Sequence, residues 1–206
     1  MLLFCLSIFA CNTKQARLPY YNTPDFTPSF LENDAQVMDS IMHQIEDFAF
    51  VNQDGKLVSE KSIEGKIHVA SFIFTSCRGI CPTMTQHLKK ASTYFEKDSN
   101  VVFLSFSVTP WMDSTAVLKA YKLRYNISNP NWYFLTGRKD AIYHLARTSY
   151  FAEEDLGFTK DSTDFLHTEH LLLIDKTKRL RGVYNGTLQL DIENLMADIK
   201  ALSAEK

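Results

Sequence analysis

At 206 residues the chain is long enough for one domain with a tail. Apolar residues make up 45% of it, including 15 Phe, so a substantial core can form and global disorder is excluded. The formal net charge is -2 with no block or stripe of Lys and Arg, which excludes nucleic acid as a natural partner.

The N-terminus stands apart. Leu2 to Ala10 is an almost unbroken apolar run, shorter than the roughly 20 residues a spanning helix needs. A short apolar run ending in a small residue reads as a secretory signal. The run closes on Ile8-Phe9-Ala10-Cys11, which resembles the lipobox of bacterial lipoproteins, and polar Asn12-Thr13-Lys14-Gln15 follows at once. The expectation is a signal and lipobox over residues 1–11, lipidation at Cys11, and a domain outside the cytoplasm, anchored by lipid to a membrane of the bacterial cell envelope. Residues 12–42, with Pro19, Pro24 and Pro28 and little periodicity, read as an extended linker, and 43–206 as the folded domain. Loss of Cys5 with the signal and lipidation of Cys11 would leave Cys77 and Cys81 as the free thiols. In an oxidising compartment such a pair can simply close a disulfide.

Within the folded part, Phe48-Ala49-Phe50 and Lys56-Leu57-Val58 flank Gln53-Asp54-Gly55, a hairpin signal. Ile67–Phe74 and Val101–Val108 are dense β-branched and aromatic runs, the pattern of strands buried on two faces. Between them Met84, Leu88, Ala91 and Phe95 form a helical stripe, with Pro82 suited to the first turn. Asp113-Ser114 can cap a second helix that buries Val117, Leu118, Tyr121 and Tyr125. A short strand at Trp132–Leu135 and a third helix through Ile142, Leu145, Ala146 and Ser149 follow. The acidic, aperiodic stretch 151–166 reads as a loop. Leu171–Ile174 and Leu180–Tyr184 are strands joined by the turn Asp175-Lys176-Thr177-Lys178, and a last helix shows Ile192, Leu195, Met196, Ile199 and Leu202 on one face. A βαβ unit followed by a ββα unit is the thioredoxin plan: an α/β fold with a central mixed sheet flanked by helices, an N-terminal hairpin and an inserted strand–helix segment.

The chemistry gathers at Thr75-Ser76-Cys77-Arg78-Gly79-Ile80-Cys81-Pro82, where a buried strand ends and a helix begins. In open α/β sheets ligands bind beyond the carboxyl ends of strands. If the segment winds toward helix, the C-x-x-x-C spacing puts both sulfurs on one face, within reach of one metal ion or of each other. Thiolates select soft metals such as Cu(I) and Zn(II), and a helix N-terminus with Arg78 nearby favours the thiolate. A third ligand must come from elsewhere. Of six histidines, His43, His68, His87 and His144 read as ordinary satisfied side chains, whereas His167 and His170 precede the strand Leu171–Ile174, whose entry loop approaches the dithiol in this fold. Thioredoxin oxidoreductases carry a cis-proline on that loop. This chain has no proline after Pro130, which favours metal binding over dithiol exchange.

Three segments resemble the Sco/SenC family: TSCRGICPTM, VVFLSFSVTPWMDSTAVLKAY and DFLHTEHLLLIDKTKRLRGVYNGT, within a likeness covering about residues 45–203. The resemblance implies a copper site at Cys77, Cys81 and His167, with His167 rather than His170 at the ligand's offset from the following turn. It also implies a metallochaperone that delivers copper to the dinuclear centre of cytochrome c oxidase, with that oxidase subunit and other copper carriers as partners. The alternative is a thiol–disulfide reductase using Cys77 and Cys81 on partner cysteines. Two departures from the family pattern stand out: Val108-Thr109-Pro110 lacks the Asp often found before that proline, and the spacer Arg78-Gly79-Ile80 lacks a proline.

Overall fold

The computed structural model describes residues 17–30, 42–152 and 168–205. The lipobox, Cys5, Cys11 and His167 lie outside the described residues. No helix among the described residues is long and apolar enough to cross a membrane.

Among the described residues there are nine strands: β1 Tyr20–Tyr21, β2 Pro28–Ser29, β3 Ala49–Asn52, β4 Leu57–Ser59, β5 Ile67–Ile73, β6 Val101–Ser107, β7 Trp132–Thr136, β8 His170–Ile174 and β9 Leu180–Asn185. The helices are α1 Cys81–Tyr94, α2 Thr115–Arg124, α3 Lys139–Thr148 and α4 Gln189–Ala204. Seven strands form one mixed sheet in the order β4-β3-β7-β6-β5-β8-β9. β5, β6 and β7 run parallel, and β3, β4, β8 and β9 pair antiparallel at the flanks.

β5 and β6 are buried at every position because both sheet faces are covered. Alternate side chains point to opposite faces. Ala70, Phe72, Leu104 and Phe106 enter one apolar layer with Phe48, Phe50, Ile142 and Tyr150. Ile67, Val69, Ile73 and Phe103 enter the other with Met84, Leu88, Leu118, Trp132 and Leu195. Hydroxyls inside the sheet pair with one another and with the indole. The Ser71 and Ser105 hydroxyls meet at 2.8 Å, and the Trp132 indole donates to Ser105 Oγ at 2.9 Å.

The expected strands and helices are all present, including the hairpin β3–β4 and the inserted β7–α3; the loop expected at 151–166 lies, from residue 153 on, outside the described residues. One face was misjudged. In α2, Leu118 and Tyr121 are buried but Val117 is exposed, because Leu118 and Tyr121 lie three residues apart on one face and Val117 points about 100° away from Leu118.

The stretch expected to be a bare spacer also carries structure. Residues 17–30 include the antiparallel ribbon β1–β2, which packs on the domain. The anchor is Arg181 on β9, whose guanidinium donates to the carbonyls of Leu18 at 2.8 Å and Pro19 at 3.1 Å. The same group pairs with Asp175 at 3.1 Å and Glu205 at 2.9 Å, and lies 4.1 Å from the Tyr20 ring. At the ribbon tip, Phe26 meets the rings of Phe151 and His170 edge-on, at 6.4 and 5.5 Å. Residues 17–30, expected to be linker, therefore pack on the domain.

Candidate metal centre

β5 carries the chain to the carboxyl edge of the sheet, where it turns sharply. The Cys77 N–H donates to the Phe74 carbonyl at 3.2 Å, and the Gly79 N–H donates to Cys77 Sγ at 3.3 Å. Helix α1 then starts at Cys81 with Pro82 in its first turn, where a missing N–H is harmless. Ile80, at the cap position, has no side-chain acceptor for the helix's first N–H groups. These groups and the helix dipole therefore favour negative charge on sulfur at this end.

The two sulfurs are adjacent and unlinked. Cys77 is half-buried, whereas Cys81 is buried against the α1 side of the core. Burial pushes the Cys81 thiol up to about 12; the Phe74 N–H opposes the rise, and a hydrogen bond to the Cys77 sulfur adds to it. Cys81 is thus a protonated donor at neutral pH, with Cys77 as its acceptor. A soft metal ion arriving between them must displace that proton.

The described histidines are engaged elsewhere. His43 bonds the Ser149 carbonyl at 2.7 Å and His68 the Tyr150 hydroxyl at 3.0 Å. His87 bonds the Gly186 carbonyl at 3.0 Å, and His144 pairs with Glu46 at 3.2 Å. His170 opens β8, with its ring against Phe26. Among the described residues no group of three His, Cys, Asp or Glu converges to hold a metal ion. A third ligand would have to come from outside them, where His167 lies. The chain re-emerges at Thr168, beside the start of β8. Because β8 runs antiparallel to β5, with Ala70 opposite Leu172, that start lies at the same edge of the sheet as the cysteines.

Sequence reasoning missed Asp113. Read as part of a helix cap, it is 1% exposed and faces the cysteine loop instead. Its Oδ1 accepts the Thr75 hydroxyl at 2.5 Å. Its Oδ2 accepts the hydroxyls of Ser107 at 2.7 Å and Thr109 at 2.9 Å, and the Thr75 N–H at 3.3 Å. The Ser114 hydroxyl caps α2 alone, accepting the Val117 N–H at 3.4 Å. The signal available in the sequence was the cluster of hydroxyl residues at 75, 107 and 109 around one acid.

A four-helix, mixed-sheet α/β fold with a thiol pair at the first strand–helix junction defines a thioredoxin-like protein. Within that class the chain belongs to the SCO1/SenC family, whose pattern matches residues 20–204. A SCO1/SenC family lipoprotein from Bacillus anthracis is 31% identical, with a TM-score of 0.69 over 78% of this chain and 95% of that one. BsSco, described with a disulfide switch and as a member of the Sco family of cytochrome c oxidase assembly proteins, is 33% identical, with a TM-score of 0.67 over 80% and 95%. Copper-bound ScoI of Bradyrhizobium japonicum is 25% identical, with a TM-score of 0.60 over 76% and 98%.

Proposed function

We propose that this protein is a copper metallochaperone that holds one copper ion between Cys77, Cys81 and His167 and delivers it to the dinuclear copper centre of a cytochrome c oxidase. Copper here is cargo. The observation that carries the reading is the pair of adjacent free sulfurs at the sheet edge where the chain returns from residue 167. Two thiolates and an imidazole suit Cu(I) in three coordination and also accept Cu(II), and an open position allows transfer by ligand exchange. Relatives solved with copper bound, and one assigned to oxidase assembly, support the cargo and the recipient. Delivery would take place outside the cytoplasm, with lipid on Cys11 holding the protein to the envelope membrane.

The test is metal analysis of the anaerobically purified, reduced domain. Wild type should bind one equivalent of copper, Cys77→Ser and Cys81→Ser none, and His167→Ala should bind weakly with an altered Cu(II) spectrum. Unchanged stoichiometry in Cys77→Ser would overturn the reading.

A second reading, a thiol–disulfide reductase, is favoured by one feature. A half-exposed sulfur backed by a buried protonated thiol is the arrangement of an attacking and a resolving cysteine. Reduction of a partner disulfide that survives His167→Ala would support it, and loss of activity in that variant would count against it.

A further inference from the structure

The ladder between β5 and β6 ends at the pair Ile73–Ser107, with one further bond from the Val108 N–H to the Ile73 carbonyl at 2.9 Å. Beyond that point the β5 chain must run unpaired to the helix, and Cys77 lies on this run. The structure supplies one more fixed point, and it comes from a carboxylate.

Asp113 reaches back from the β6–α2 connection to grip Thr75 twice, through its hydroxyl and its N–H, two residues before Cys77. Burying a carboxylate without donors is strongly unfavourable, because its charge is then neither hydrated nor paired. Asp113 avoids that penalty only in the geometry where Thr75, Ser107 and Thr109 all donate to it. A fully satisfied buried network of this kind tolerates one arrangement and so specifies position. The strand pairing does not need it, since the ladder is complete at Ser107. Its one consequence outside its own connection is to hold Thr75 in place. Thr109, just past the end of the ladder, is one of the donors.

We infer that Asp113 is a positioning residue for the thiol pair: by clamping Thr75 it keeps the Cys77 sulfur against Cys81. The inference rests on the two cysteines being the working groups, and it holds whichever cargo or reaction they serve.

The test compares wild type, Asp113→Asn, Thr75→Val and the double variant. One readout is the equilibrium with glutathione, in which the two thiols and one oxidised glutathione yield the intramolecular disulfide and two reduced glutathiones. The other is Cu(I) affinity measured by competition with a chromogenic chelator. Each single variant should shift both constants by about tenfold, and the double variant should shift them no further, because both changes break the same bond. Wild-type constants in both single variants, with only the melting temperature lowered, would overturn the inference, as would additive effects in the double. If Asp113→Asn does not fold, Thr75→Val, which leaves the carboxylate two hydroxyl donors, carries the test alone. If wild type binds no copper while the glutathione constant still shifts in the variants, the copper assignment fails and the positioning role stands.

Discussion

The two cysteines share a loop but differ as chemical groups. Cys81 is shielded and keeps its proton, while Cys77 is reachable from solvent. Iodoacetamide at pH 8 should therefore alkylate Cys77 at least about tenfold faster than Cys81, as read by peptide mass spectrometry, because the thiolate is the reacting form. Equal rates would contradict the asymmetry. Since the raised Cys81 thiol must lose its proton to bind metal, apparent copper affinity should also climb with pH, by about tenfold per unit for that proton. His68 titrates in the opposite sense. Burial pushes its pKa from 6.5 down to about 3. The unfolded chain therefore takes up the proton first, and stability falls as pH drops from 6.5 toward 3, at a slope of about 1.4 kcal/mol per pH unit for one proton. Replacing the buried pair together, as His68→Leu with Tyr150→Phe, should flatten that slope in pH-dependent denaturant unfolding. The cysteines could be located from the sequence because spacing and a strand–helix junction are local signals. Asp113 was harder to read, because its donors lie at and just beyond the ends of β5 and β6, and only folding turns those hydroxyls toward one acid.

At the level of elements, the apolar runs gave away β5 and β6, and helical spacing gave away α1, α3 and α4. A strand covered on both faces and a helix covered on one leave clear periodic signatures. The partial failure at α2 is physical: its buried face is set by Leu118 and Tyr121, and Val117, about 100° round the helix from Leu118, faces water. β7 was legible although short, since Trp132 and Phe134 alternate with half-exposed Tyr133. Trp132 holds this strand. It stacks on Phe134 with centroids 5.2 Å apart and donates to Ser105. Trp132→Ala should cost about 3–5 kcal/mol in urea unfolding, the range for a buried aromatic that leaves a cavity. A loss under about 1 kcal/mol would show that the site collapses freely.

Across the whole molecule, the ribbon at residues 17–30 is the feature least visible in the sequence. Its prolines and lack of periodicity correctly predict extended chain. What they cannot show is that a buried guanidinium some 160 positions later donates to the carbonyls of Leu18 and Pro19. Arg181→Ala should destabilise the domain by about 3–5 kcal/mol, since it strands Asp175 without its cation. It should also let chymotrypsin cut at Tyr20, Tyr21 or Phe26 much faster than in wild type. Slow cutting in that variant would mean that Tyr21 and Phe26 alone secure the ribbon. Truncation has a practical bearing as well. A shortened protein starting at residue 43 would keep the sheet and both cysteines, yet leave Arg181 without two acceptors and a ring, and bare Phe151 and His170 to water. The smallest piece that folds like the parent must start ahead of Leu18.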